Sequence, residues 1–285
     1  KMGQKTKLFH ANLLRRYIQR REEEPVVGVV VTEEGGDDVI LKGDVPVVPL
    51  TREESVKDIQ LGPLLSEKQR QDVKAVCEEV SEIMTERPMR TPLAECHLSL
   101  SSDVPVFVRQ YPLPHAQVEQ VKKEVAEMVE LGVIEPAISP YNAPIVLVRK
   151  KDGRTRFCVD FRRLNLIMQF DAEPIPDVEH LFTKLAHAQF FSKLDLSRGY
   201  WQIPMSPDDK PKTAFSTPSG QFQWTVMPFG LKTAGAVFSR MMRALLQPLG
   251  REDVDNFIDD ILIASRTWGE HMEAVRAVLH RLRES

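Results

Sequence analysis

Three aspartates are spaced so that they could do chemistry. Asp259 and Asp260 sit side by side inside the run from Val254 to Ser265, flanked by short stretches rich in Ile and Val. Such runs around a two-residue polar break read as a β-hairpin with the Asp pair at its turn. Asp-Asp is a poor hairpin turn, because Asp-Gly or Asn-Gly reaches positive φ at less cost. Adjacent anions also repel unless a cation neutralises them. A lone pair of this kind is more often a solvated acidic turn. Asp195 changes that balance. It ends a β-like run from Phe190, and a strand there laid beside the hairpin would bring three carboxylates to one point. Hard oxygen donors in that number suit Mg²⁺. Two such ions about 3.5–4 Å apart drive in-line phosphoryl transfer in polymerases and in nucleases. The aspartates do not choose between the two.

The elements that must position these residues alternate irregularly. Residues 1–60 are proline-punctuated and charged, a linker with at most one strand. Ser66 and Gln69 have capping-box spacing ahead of Val73, Val76, Cys77 and Val80 at helical intervals. Pro88 to Pro114 is extended chain. His115 to Leu131 is a second amphipathic helix, with Val118, Val121, Val125, Met128 and Val129 on one side and Gly132 to end it. Ile145–Arg149 and Thr155–Asp160 flank Lys151-Asp152-Gly153, a strong hairpin signal. Pro176–Ala186 reads as a helix with proline in its first turn. Lys212–Thr217 and Gln221–Val226 form a further hairpin around Pro218-Ser219-Gly220. Thr233 caps a helix to about Leu246, and His271–Arg283 is the last helix. Antiparallel hairpins mixed with helices make an α+β chain, not a doubly wound one. No Gly-rich phosphate loop or Cys/His zinc pattern is present.

Composition narrows the class. The chain has 285 residues, 42% apolar and 28% charged, as a globular protein does. No run approaches the roughly 18 apolar residues of a membrane span, so no membrane partner is expected. Cys77, Cys96 and Cys158 lie far apart and read as buried free thiols in a reducing compartment. The net charge of −3 argues against a uniformly basic nucleic-acid binder, yet it is unevenly spread. Between 149 and 163, Arg149, Lys150, Lys151, Arg154, Arg156, Arg162 and Arg163 oppose only Asp152 and Asp160. That excess is a candidate phosphate-facing patch, or equally a solvated hairpin surface.

Seven segments follow one another in a recognisable order: Val148–Gly153, Phe157–Asn165, Phe191–Leu196, Gly199–Ile203, Thr213–Phe215, Met227–Leu231 and Phe257–Asp260. The series closely resembles the reverse transcriptases of gypsy-type LTR retrotransposon Pol polyproteins. It covers about residues 85–285. The resemblance implies a right-hand polymerase fold, with fingers and palm over 61–285, an antiparallel palm sheet and flanking helices. It implies that the chain stops before the thumb and RNase H domain. Residues 8–17 loosely resemble the end of an integrase region, which would make 1–60 an upstream polyprotein segment. A short surface helix is an equal reading of those ten residues. Two departures stand out: Phe257 where tyrosine is usual, and Thr233-Ala234-Gly235 in place of Asn-Ala-Pro.

The same resemblance implies roles. Asp195, Asp259 and Asp260 would bind two Mg²⁺ ions, or Mn²⁺, with the Leu196 carbonyl assisting. Lys150 or Lys151, together with Arg156, would face the triphosphate of the incoming dNTP. Tyr200 would lie beneath the sugar and exclude a 2′-hydroxyl. Phe229, where retroviral relatives carry glutamine, would pack against nucleotide or template, and Phe238 is either part of the site or plain helix core. The implied partners are an RNA or DNA template with primer, dNTPs, and the thumb, RNase H and integrase parts of a Pol polyprotein. The implied setting is intracellular, in cytoplasm or virus-like particles with access to the nucleus. A remnant that binds nucleic acid without turnover is the alternative. A metal-dependent nuclease would explain the aspartates but not Tyr200 or the basic hairpin.

Overall fold

The computed structural model describes residues 8–9, 59–85, 87–149, 155–174 and 187–285. Lys150, Lys151, the Asp152-Gly153 turn, the expected helix at 176–186 and nearly all of the N-terminal segment lie outside these residues.

Period-two burial builds the central sheet. Strands β5 (Phe190–Asp195), β8 (Val254–Phe257) and β9 (Asp260–Ser265) are antiparallel neighbours in the order β5-β9-β8. Ser192 and Leu194 on β5, Val254 on β8, and Ile261, Ile263 and Ser265 on β9 are buried. Alternate residues on β5 and β9, including Lys193, Asp195 and Asp260, therefore look the other way. Leu8–Phe9 adds a short parallel strand, β1, to the outer edge of β5. Residues 10–17, the rest of the segment weighed as a short surface helix, lie outside the described residues.

The register corrects the hairpin reading. Phe257 pairs with Asp260, so the turn is Ile258-Asp259 and Asp260 already belongs to β9. A turn one residue later would slip β9 by one and swap Ile261 and Ile263 out of the core. Burial of those two isoleucines outweighs the strain at Ile258, whose φ is +54°. A β-branched residue with positive φ is a genuine outlier.

Among the described residues, five α-helices frame the sheets: α1 (Glu67–Glu78), α2 (His115–Glu130), α3 (Arg162–Ile167), α4 (Ala234–Leu246) and α5 (Trp268–Arg283). The Ser66–Gln69 capping box forms in both directions. Helix α2 ends as expected. Gly132 has φ +68°, its N–H donates to Val129 O at 2.9 Å, and Val133 N–H donates to Met128 O at 3.1 Å. That is a Schellman closure, which glycine allows. Val129, expected on the inner face, is exposed. Helix α5 starts three residues before the expected His271, because Thr267 and Glu270 make a second capping box. Thr233 precedes α4 without a side-chain cap bond. Cys77 and Cys96 are buried, but Cys158 is only half-buried.

A buried polar chain ties α5 to the central sheet. His271 is fully buried between Ser192 Oγ, 2.9 Å from Nε2, and Ser265 Oγ, 3.3 Å from Nδ1. The Ser265 hydroxyl donates to Asp253 at 3.0 Å, and Arg251 grips the same carboxylate with two N–H groups. With the Ser265 hydrogen given to Asp253, the network assigns the ring proton to Nδ1 and leaves Nε2 to accept from Ser192. Burial pushes the His271 imidazole down to about 4, against a weaker upward pull from Asp253.

Among the described residues there are two smaller sheets. Strands β2 (Ile134–Pro136), β7 (Gly220–Trp224) and β6 (Phe215–Thr217) lie in the order β2-β7-β6. Strands β3 (Ile145–Arg149) and β4 (Thr155–Val159) form the basic hairpin. Phe215 joins them, its ring centroid 5.8 Å from Phe157 and 5.9 Å from Trp224. No described helix is long and apolar enough to cross a membrane.

Candidate active site

The open end of β5 and β9 gathers the chemistry. Asp195 and Asp260 are Cα partners across the ladder. The Leu196 N–H donates to the Asp259 carbonyl at 3.1 Å, which holds the turn against the end of β5. Lys193, two residues before Asp195 on the same face, forms an ion pair with Asp260. The backbone thus brings all three aspartates to one end of the sheet. Among the described residues, however, no group of three or more His, Cys, Asp or Glu side chains is close enough to grip an ion. Like charges spread apart, and Asp260 already meets a cation. The donor set itself, the three carboxylates, is all oxygen and suits a hard divalent cation.

Beside the carboxylates stands an aromatic cluster on a 3₁₀ turn, Gly199–Gln202. The Tyr200 ring is 5.1 Å from Phe229 and 5.1 Å from Phe238. Burial raises the Tyr200 phenol above its ordinary range, and the charge of Asp259 raises it further, so phenol and carboxylate share one environment. Phe229 is 39% exposed and so presents a face outward. Phe238 is 1% exposed: it is core, and it supports Tyr200 from behind. Gly199 is required by this packing. A Cβ there would lie 2.6 Å from Phe238 Cε2 and 2.7 Å from Cζ. Arg198, with φ +49°, stacks over Trp201 at 5.0 Å. Arg198 and Ile258 are the two non-glycine residues with positive φ among those described, and both adjoin the site. Backbone strain concentrates where geometry is functionally constrained.

The basic hairpin is only partly visible. Register sets the Arg156 backbone opposite Val148, while Lys150 and Lys151 fall outside the described residues. Arg162 is committed to Asp160 through two bonds of 2.9 and 2.8 Å, which thins the positive patch read from the sequence. Lys193 and Gly199 were present in the quoted motifs without a role. Cross-strand position gives the first one, and close approach to Phe238 the second.

The profile of the reverse transcriptase (RNA-dependent DNA polymerase) family matches residues 148–285. The retrovirus-related Pol polyprotein from transposon 297 of Drosophila melanogaster is 36% identical over 193 residues, which is 66% of this chain and 18% of that protein. The polyprotein from transposon opus of the same organism is 38% identical over 183 residues, 62% of this chain and 18% of the relative. Residues 148–285 thus match the reverse transcriptase family, in a chain similar to retrotransposon Pol polyproteins. The foamy viral protease-reverse transcriptase in complex with RNA/DNA hybrid superposes with a TM-score of 0.71 at 21% identity, over 78% of this chain and 30% of that one. The fold is accordingly that of right-hand polymerases. The chain spans about a fifth of the curated relatives it matches.

Proposed function

We propose that this chain is the fingers and palm of an RNA-directed DNA polymerase, adding dNTPs to a primer 3′-hydroxyl. The observation that carries the reading is the Asp195–Asp260 cross-strand pair with Asp259 at the adjoining turn, set beside the Tyr200–Phe229 aromatic pair. Residues 61–285 are the polymerase unit, and 1–60 are an upstream polyprotein segment. A parent polyprotein would supply thumb, RNase H and integrase, and would act inside the cell. A solved relative holds an RNA/DNA hybrid, and the partner of this chain is likewise an RNA or DNA template with primer.

Asp195, Asp259 and Asp260, with the Leu196 carbonyl, would hold two Mg²⁺ ions or Mn²⁺ in their place. When bound, such ions lower the pKa of the 3′-hydroxyl and offset charge on the triphosphate during in-line displacement. Arg156 and Lys150 or Lys151 orient the triphosphate, the planar Arg fork gripping two oxygens at once. Tyr200 closes the space beneath the sugar, so a 2′-hydroxyl meets its ring. Phe229 offers its open face to the nucleotide or template.

The test is primer extension on RNA and DNA templates, with Mg²⁺ or Mn²⁺, by the wild-type chain and Asp259→Asn. Extension by wild type on both templates and none by the variant is expected. Wild-type binding of primer-template without any extension would leave a nucleic-acid-binding protein instead.

A further inference from the structure

We infer that Asn165 is a positioning residue for the incoming nucleotide, acting through the loop that carries Phe229. The inference rests on the proposed function. Asn165 lies in α3, the helix that follows β4 with only a two-residue break. Its side-chain amide both donates to and accepts from one loop. Nδ2 donates to the Gly230 carbonyl at 2.8 Å, and Oδ1 accepts from the Lys232 N–H at 2.9 Å. The amide therefore brackets Leu231 much as a neighbouring strand would, fixing the position of the loop and its tilt together.

Three further contacts seat the same loop on the same piece of chain. Lys232 Nζ donates to the Met168 carbonyl at 3.0 Å, just beyond α3. Gly230 has φ +92°, a conformation that suits glycine. A Cβ there would stand 3.7 Å from the Val159 carbonyl and 3.8 Å from Phe161 Cδ2, so the loop lies against the end of β4. Phe229, adjoining Gly230, leans on Tyr200 at 5.1 Å and Trp201 at 6.3 Å. One continuous piece, β4 followed by α3, thus carries Arg156 at one end and the anchor of Phe229 at the other. The triphosphate side and the sugar side of the pocket are coupled through this piece, and the Asn165 amide supplies two of the bonds that join them.

A small misplacement of a pocket wall weakens nucleotide binding more than it alters the reacting groups. Asn165→Ala should raise the KM for dNTP about tenfold, as the loss of two hydrogen bonds would. It should leave kcat within a factor of about three and primer-template affinity unchanged. Because Asn165 works through Phe229, the effect should vanish in a Phe229→Ala background, giving a non-additive cycle. Hydrogen exchange at the Lys232 amide should quicken in Asn165→Ala, which reads the clamp without turnover.

A full tenfold effect persisting in Phe229→Ala would overturn the inference. So would an unchanged KM, or a loss confined to kcat and thermal stability. If wild type does not extend primers, the proposed function fails by itself. Quenching of tryptophan fluorescence by dNTP in the same four proteins then decides whether Asn165 positions a nucleotide.

Discussion

Asp195 and Asp260 face one another as Cα partners at the end of β5 and β9, and Lys193 reaches diagonally across the ladder to the second of them. Like charges directly opposite destabilise a sheet, and an opposite charge on the diagonal offsets the repulsion. Lys193 is therefore a built-in counter-ion for a pair that the fold would otherwise hold at a cost. Lys193→Met should lower the thermal midpoint in EDTA by about 2–4 °C, corresponding to about 1 kcal/mol. Millimolar Mg²⁺ should recover most of the loss. Equal losses with and without Mg²⁺ would show that Lys193 does not serve this pair.

Sugar selection at Tyr200 should be steric. The ring is braced by Phe229 and Phe238, each 5.1 Å away, so it cannot swing aside for a 2′-oxygen. Tyr200→Val should raise rNTP incorporation relative to dNTP, whereas Tyr200→Phe keeps the ring and should change the ratio little. The measurement is kcat/KM for both substrates in the three proteins. A ratio that moves as far in Phe as in Val would assign selection to the phenol hydroxyl.

Gly199→Ala tests the packing behind Tyr200. The new methyl would stand 2.6 Å from Phe238, and overfilling a packed core costs about 1–3 kcal/mol. Denaturant unfolding should show that loss, and dNTP kinetics should worsen as Phe238 pushes on Tyr200. Phe238→Leu in the same chain should restore part of both. No restoration would mean the glycine matters for backbone reasons alone.

Acid should unlatch α5. The folded imidazole of His271 titrates near 4, below the unfolded value of about 6.5. Between those values the unfolded chain binds more protons, so stability falls as pH drops from about 6.5 to about 4, by about 3 kcal/mol in all. Above 6.5 the contribution is complete and flat. Urea titrations from pH 4 to 7 should show the slope in wild type and a much smaller one in His271→Gln. Identical slopes would assign the acid sensitivity to other groups.

Much of this architecture was legible in the sequence, and for physical reasons. The capping box at Ser66 and the glycine after α2 are local signals, and local signals survive without knowledge of partners. The hairpin turn was misplaced by one residue because turn chemistry argued for two aspartates. The core, through Ile261 and Ile263, decided otherwise. The short helix α3 and strand β2 escaped notice because six and three residues carry little periodicity. Asn165, Lys193 and Gly199 acquire meaning only from neighbours remote in the chain or across a ladder. No window of sequence displays such neighbours. Asp195, Tyr200 and Phe229 were readable as candidates through motif order, and the fold brings the two rings together.

The alternation of β5 and β9 has an evolutionary corollary. One side of each strand is hydrophobic interior and the other bears the acids, so a single-codon deletion within 190–195 or 260–265 would exchange them. Such a lesion would destroy the fold and the chemistry at once. Copies of this element decaying without selection should therefore yield folded but inactive proteins by substitution of the acids, and almost never by frame-preserving loss of a residue from these strands.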